Sequence, residues 1–389
     1  SGALAQPAPK LSGNNIRIGV LTDMSGLYSD VGGQGSIVAV QMAIDDFVAA
    51  NKPAYKIDLV SADHQNKADV AANKAREWID TQGVDMITDL LNSAVALAVG
   101  KVANEKKSLA MVTGAATSRL TNEDCNANTI HYAYDTVALA KGTGGAIVKQ
   151  GGDTWFFLTA DYAFGHSLEA DTAAVVKAAG GKVLGSVRHP LNASDFSSFL
   201  LQAQASKAKI IGLANAGGDT INSIKAANEF GITKNQSLAG LLVFITDVHS
   251  LGLKTTQGMY LTDGWYWDLN DETRRWGKRY FDKMKKMPTM IHASVYSTTW
   301  QYLNAVKAVG SDNAGAIWDY LRKIKMNDMF HKNAYLRQDG RVIRDMYLMQ
   351  VKKPEESKYP WDYFHVRQTI PGEQAYLPLA ESKCPMVKK

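Results

Sequence analysis

From residue 16 to residue 243 the chain alternates short β-rich apolar runs with longer stretches whose apolar residues recur at helical spacing, a rhythm that few folds accommodate. The first unit shows the form. Ile16, Ile18, Val20 and Leu21 make a strand, residues 23–35 are polar and glycine-rich, and Val40, Ile44, Phe47 and Val48 mark one face of a helix over 36–50. Strand 56–62 with helix 66–82, strand 84–91 with helix 93–105, and strand 109–112 continue it, before a loop. A second series has helix 137–150, strand 154–159, helix 165–179, strand 182–188 and helix 196–205. Strand 209–214, helix 220–230 and strand 237–243 complete it. Each helix is long enough to carry the chain back across a sheet, so the strands are expected to run parallel. The fold class is α/β, with two doubly wound parallel-sheet lobes.

The length agrees, because 389 residues exceed one ordinary core. Beyond 258–262, helices 272–285, 293–309 and 314–322 are expected, then strands 344–351 and 362–369. With 46% hydrophobic and 21% charged residues the composition is globular, and no apolar run approaches the roughly 20 residues of a membrane-spanning helix. The net charge is +5, but the basic residues are scattered rather than interleaved with aromatics along a stripe, which argues against a nucleic-acid partner. The basic run at 283–286 reads as a solvated helix face.

Ala3-Leu4-Ala5 has the small-x-small form that precedes a signal-peptidase cut, with a cloning scar as a rival origin for Ser1-Gly2. Residues 1–14 therefore read as a disordered or extended leader remnant of an exported protein. The two cysteines, Cys125 in a polar loop and Cys384 near the C-terminus, are expected to pair in an oxidising compartment. Such a disulfide would pin the C-terminal tail.

Ile18-Gly-Val-Leu-Thr-Asp-Met-Ser-Gly26, Val112-Thr-Gly-Ala-Ala-Thr117, Thr159-Ala-Asp-Tyr-Ala-Phe-Gly165 and Asp195-Phe-Ser-Ser-Phe199 follow one another in a telling order. Together they resemble the type I periplasmic solute-binding proteins of ABC transporters, the leucine/isoleucine/valine-binding protein family, over most of the chain. Gly212-Leu-Ala-Asn-Ala-Gly-Gly-Asp219 and Phe244-Ile-Thr-Asp-Val-His249 are similar to a subgroup associated with aromatic acids. The resemblance implies three crossovers, near Thr136, Thr262 and Asp339, forming a hinge that closes on a ligand. It places residues 15–135 plus 263–338 in an N-terminal lobe and 136–262 plus 339–389 in a C-terminal lobe. It also implies a monomer in the periplasm whose partners are a small organic acid and ABC permease subunits, the membrane being reached only through the permease.

In open parallel sheets, ligands lie beyond the carboxyl ends of the strands. Ser25 and Tyr28 follow the first strand there. Asn92, Ser93 and Ala94, with Ala115, Ala116 and Thr117, end two further strands and offer hydroxyls and backbone N–H groups that attract anions. By resemblance, Asn92, Ser93, Ala115 and Thr117 match positions that hold the carboxylate or α-amino group in amino-acid binders. An ordinary helix cap is the alternative for Ser93 and Thr117. Tyr162 and Phe164 end strand 154–159, where a ring either stacks on a flat ligand or packs in the lobe core. Phe164 matches a tyrosine common in the amino-acid binders, so this wall is more apolar. Asn215 and Ala216 end strand 209–214 on the same edge.

Asp247 and His249 follow a strand-like segment, 241–245. Asp247 aligns with the acid that pairs with an α-ammonium in the amino-acid binders, and His249 would suit a phenolic hydroxyl. A helix cap and a surface histidine are the alternatives. Tyr134 and Trp265 flank the implied crossovers, where both lobes meet a ligand. No G-x-S-x-G, G-x-G-x-x-G or P-loop motif occurs and the eight histidines are dispersed, so no catalytic residue, cofactor or metal is expected. The expected function is capture of an aromatic carboxylate, of benzoate or phenylpropanoid type, for delivery to a permease. A branched-chain amino acid or amide binder is the alternative, with a ligand sensor or an α/β hydrolase further off.

Overall fold

The computed structural model describes residues 10–388. Its first sheet contains β1 (Asn15–Thr22), β2 (Lys56–Asp63), β3 (Met86–Asp89), β4 (Leu109–Val112) and β5 (Thr129–His131). They are parallel and ordered β2-β1-β3-β4-β5, with α1 (Gly33–Asn51), α2 (Ala68–Thr81) and α3 (Ser93–Lys106) as connections. The chain then leaves through α4 (Thr136–Leu139), a wide helical turn at 140–144, and α5 (Gly145–Lys149). The second sheet, ordered β7-β6-β8-β9, is again parallel. Its strands are β6 (Thr154–Ala160), β7 (Lys182–His189), β8 (Ile210–Ala214) and β9 (Ser237–Gly240), linked by α6 (Ala163–Ala178), α7 (Ser197–Ala205) and α8 (Gly218–Glu229).

Short helices α9 (Ile245–Leu251) and α10 (Leu253–Thr256) lead into β10 (Tyr260–Asp263). Next come α11 (Asp271–Met284), α12 (Met290–Val309), which packs along α1, and α13 (Ala314–Lys323). A small hairpin of β11 (Tyr335–Leu336) and β12 (Val342–Ile343) precedes β13 (Met346–Val351) and β14 (Phe364–Ile370). The last two join β10 in an antiparallel sheet. The architecture is thus the two-lobed α/β fold that the alternation predicts. Every residue of β3, β4 and β8 is buried, as central parallel strands covered on both faces should be.

The structure departs from the sequence reading in three places. β5 lies in what reads as loop, since three residues are too few to show a period. The parallel expectation does not extend to β10, β13 and β14. The third departure bears on the site: residues 241–245 are not strand, because β9 stops at Gly240 and α9 begins at Ile245. The Asp247 carboxyl accepts the Phe244 N–H at 2.9 Å and fixes the helix start, so an apolar run buried for another reason imitates a strand.

One buried guanidinium ties together the segments that follow β5 and β10 and the one that precedes β13. Arg344 donates to the carbonyls of Gly264 (2.8 Å), Phe330 (2.7 Å) and, at 3.5 Å, Ala133. Arg341, also buried, donates to the Tyr134 carbonyl at 2.7 Å. Cys125 and Cys384 are bonded as expected, across 259 residues, and fasten the C-terminal tail to the loop before β5. Of the expected leader remnant, residues 1–9 lie outside the described residues. Lys10 pairs with Ser311, and Ser12 bonds Asp312, along the first lobe. Among the described residues no helix is long and apolar enough to cross a membrane.

Candidate functional site

The strand ends of the two sheets meet around a cleft whose empty space, part of it open to solvent, is about 280 Å³. One end of it is made by backbone. Asp89 and Leu90 close β3 in the left-handed region (φ 70° and 58°), which turns the chain sharply into α3 and brings Asn92 and Ser93 to the wall. Asn92 caps α3, its Oδ1 accepting from the Val95 N–H at 3.0 Å, while its Nδ2 donates to Asn66. Ser93 Oγ accepts the Thr117 N–H at 3.2 Å and so ties the start of α3 to the loop after β4. The backbone N–H groups of Ser93, Ala115 and Ala116 meet no acceptor among the described residues. With the N-terminus of α3 beside them, they form an electropositive end suited to an anion.

The remaining walls are aromatic and apolar. Tyr28, Tyr134, Tyr162, Phe164 and Phe244 contribute rings, and Val31, Leu242 and Ile291 fill between them. Tyr134 is fixed by a bond from its hydroxyl to the Gly114 carbonyl (2.8 Å). Burial pushes the Tyr28, Tyr134 and Tyr162 hydroxyls upward, so all three are neutral phenols. Among the described residues no Asp, Glu, His, Lys or Arg lines the cavity.

The lobes touch around this space. The hydroxyls of Tyr28 and Tyr162 are 2.6 Å apart, and the Gly218 N–H donates to the Leu27 carbonyl at 3.0 Å. Gly217 has φ 57°, and a Cβ there would run into that same carbonyl, so glycine permits the approach. Further along, Thr117 Oγ1 meets Ser167 Oγ at 2.7 Å, and Asp171 on α6 accepts from Ser118 (2.9 Å) and Thr136 (2.6 Å). Burial pushes Asp171 up to about 6, so the form with these groups in contact binds a proton more tightly than one with Asp171 exposed would. The contact is therefore expected to strengthen as pH falls through about 6 and to lose that advantage above it. Replacing Ser118 with Ala removes one of the two hydroxyls on Asp171 and is expected to cost the closed form about 1.5–3 kcal/mol. Small-angle scattering should then report a larger radius of gyration, and an unchanged value would assign closure to the tyrosine pair instead.

Of the sequence candidates, Tyr28, Asn92, Ser93, Ala115, Ala116, Tyr134, Tyr162 and Phe164 line the cavity, whereas Ser25, Ala94, Thr117, Asn215, Asp247, His249 and Trp265 do not. Ser25 is exposed and bonds Asp63. Ala94 lies half-buried in the first turn of α3. Thr117 belongs to the interlobe contact just described. Asn215 is sealed behind β8, bonded to His189, Thr220 and Ser223. Asp247, fully buried and pushed up to about 7 by that burial, caps α9. His249 stacks on Trp361 at 3.9 Å and bonds the Tyr363 hydroxyl. Trp265 packs edge-on against Trp276 within a lobe and donates to the Met329 carbonyl. Ala216, which follows Asn215 at the end of that strand, also lines the cavity as expected, whereas sequence reasoning missed Val31, Leu242, Phe244 and Ile291. Phe244 was hidden by the false strand, and Ile291 sits at the start of a long helix with no local signal of a site.

The profile of the family described as "Periplasmic binding protein" matches residues 15–358. No curated protein matches the chain. Among solved structures it is similar to a periplasmic binding protein from Burkholderia mallei, with 59% identity and a TM-score of 0.94 over 96% of this chain and 100% of that one. A branched chain amino acid ABC transporter periplasmic ligand-binding protein from Burkholderia xenovorans LB400 shares 43% identity, with a TM-score of 0.84 over 96% and 100% of the two chains. An ABC transporter solute binding protein from R. palustris, in complex with 4-hydroxybenzoate, shares the fold at 20% identity and a TM-score of 0.80, over 92% and 97%.

Proposed function

This chain belongs to the periplasmic binding protein family, the type I receptors of ABC transporters, and from that premise we propose that it captures an aromatic carboxylate of the benzoate type. One observation carries the reading: unpartnered N–H groups stand at one end of a ring-lined cavity that has no charged side chain on its wall. A carboxylate at that end would satisfy the N–H groups, and a flat ring beyond it would gain offset stacking worth about 0.5–1.5 kcal/mol per aromatic pair. An amino acid would also bring an ammonium group. Asp247, the candidate partner for that group, lies off the wall and caps Phe244, so the ammonium would be buried unpaired at considerable cost.

In this reading no bond is made or broken. The lobes, 15–135 with 263–338 and 136–262 with 339–389, turn about crossovers near Thr136, Thr262 and Asp339. A periplasmic monomer would then present its closed form to the permease subunits. Binding shifts the population toward closure because the ligand touches both lobes only there. Branched-chain amino acids remain the second reading, favoured by what the Burkholderia xenovorans relative is named for. Competition calorimetry decides between them. Benzoate at about 100 times its dissociation constant is expected to add about 2.7 kcal/mol of stability and to outcompete leucine. Preference for leucine would overturn the proposal and return the site to amino acids.

A further inference from the structure

Asp89 lies fully buried beneath the N–H end of the cavity, and among the described residues neither of its carboxyl oxygens has a partner with hydrogen-bonding distance and angle. Two glycines make the space it fills. A Cβ at Gly114 would come within 2.8 Å of Asp89 Oδ1, and one at Gly32 within 3.1 Å of Oδ2. Gly114 itself lines the cavity, directly before Ala115 and Ala116, so only one layer of backbone separates the Asp89 carboxyl from an anion held there. Asp89 and Leu90 are consecutive non-glycine residues with positive φ, a costly arrangement that the surrounding structure must enforce.

The groups that face Asp89 offer it no cation. After β1 stand the Thr22 hydroxyl and Asp23, whose carboxyl already accepts from the backbone of Gly26 and Tyr28 and from the Asn66 side chain. On α1, Ser36 presents a hydroxyl, which with that of Thr22 favours the ionised acid, though less than burial opposes it. After β5 comes Tyr134, its hydroxyl bonded to Gly114. On α12, His292 bonds the Gly32 carbonyl and is held neutral by burial, which lowers it to about 4. An ionised Asp89 would thus set an uncompensated negative charge beside the anion end.

We propose that Asp89 determines the specificity of this site: held as the neutral acid it lets the cavity accept a carboxylate, and capture of the anion is coupled to uptake of one proton at this residue. The inference rests on the carboxylate reading above. Burial pushes Asp89 up to about 7, so near neutral pH the free protein is partly ionised there, and a bound anion raises its proton affinity further. The sign follows. Well below pH 7 the proton is already in place and Asp89 adds no further pH dependence, whereas above it each unit of pH lowers affinity about tenfold.

Asp89→Asn keeps the shape, tolerates left-handed backbone and cannot ionise. Benzoate calorimetry between about pH 6 and about pH 8.5, in two buffers of different ionisation heat, is expected to show the tenfold slope and a buffer-dependent heat in the native protein. The variant should show neither. A flat native profile, or a variant that keeps the slope, overturns the proposal. Infrared difference spectra test it without ligand: the native protein at about pH 6 should carry a protonated carboxyl band missing from Asp89→Asn, and absence of that difference overturns it as well. No benzoate heat in either protein would instead overturn the ligand reading, with the infrared band still deciding Asp89.

Discussion

Replacing Arg344 with methionine is expected to destabilise the protein by about 3–5 kcal/mol, a large share of what holds any domain together. The guanidinium donates to the carbonyls of Gly264 and Phe330 at 2.8 and 2.7 Å and lies over the Phe330 ring at 3.8 Å. Bonds from a charged donor are worth about 1.5–3 kcal/mol each, and their loss would leave buried carbonyls without partners. Methionine matches the length and none of the donors. Lysine should rescue little, because one ammonium cannot reach in the several directions that the planar fork spans. Urea unfolding measures the change, and a loss under about 1 kcal/mol would mean that water takes over the carbonyls. Because Arg344 holds the segments after β5 and β10 to its own, the variant should also loosen their contact.

Changing Cys125 and Cys384 together to serine is expected to lower stability by about 2–4 kcal/mol. The closed loop, spanning 259 residues, is long, which puts the entropic effect near the top of its usual range. Hydrogen exchange should locate the damage in the tail beyond β14, where Cys384 is buried and the Lys383 N–H bonds Asn122, rather than in either parallel sheet. Uniform loss of protection throughout would contradict that assignment.

Strand and helix periods carried most of the fold, since parallel strands buried on both faces and helices of three or more turns are long enough to display them. The lobe walls were legible for the same reason: Ser93, Ala115 and Phe164 sit where a period breaks at a strand end. Phe244 and Asp247 show the limit. An apolar run reads alike whether it is strand or buried loop, and only the bond from Phe244 to the Asp247 side chain tells them apart. Ile291 and Val31 illustrate another limit, because α12 returns to α1 from some 260 positions away and nothing local records where it lands. Asp89 was invisible for a third reason. A carboxylate at the end of a strand looks like a surface turn until Gly32 and Gly114 are seen to enclose it.

The contacts across the mouth of the cleft have a bearing on the surroundings in which such a receptor works. Tyr28 with Tyr162, Leu27 with Gly218, and Thr117 with Ser167 are all bonds between uncharged groups, with Asp171 the carboxyl among these contacts. Dissolved ions weaken attractions between charges and leave neutral hydrogen bonds almost untouched. Contacts built this way are expected to change little with ionic strength, so any salt dependence of binding would report on the anion end of the cavity instead.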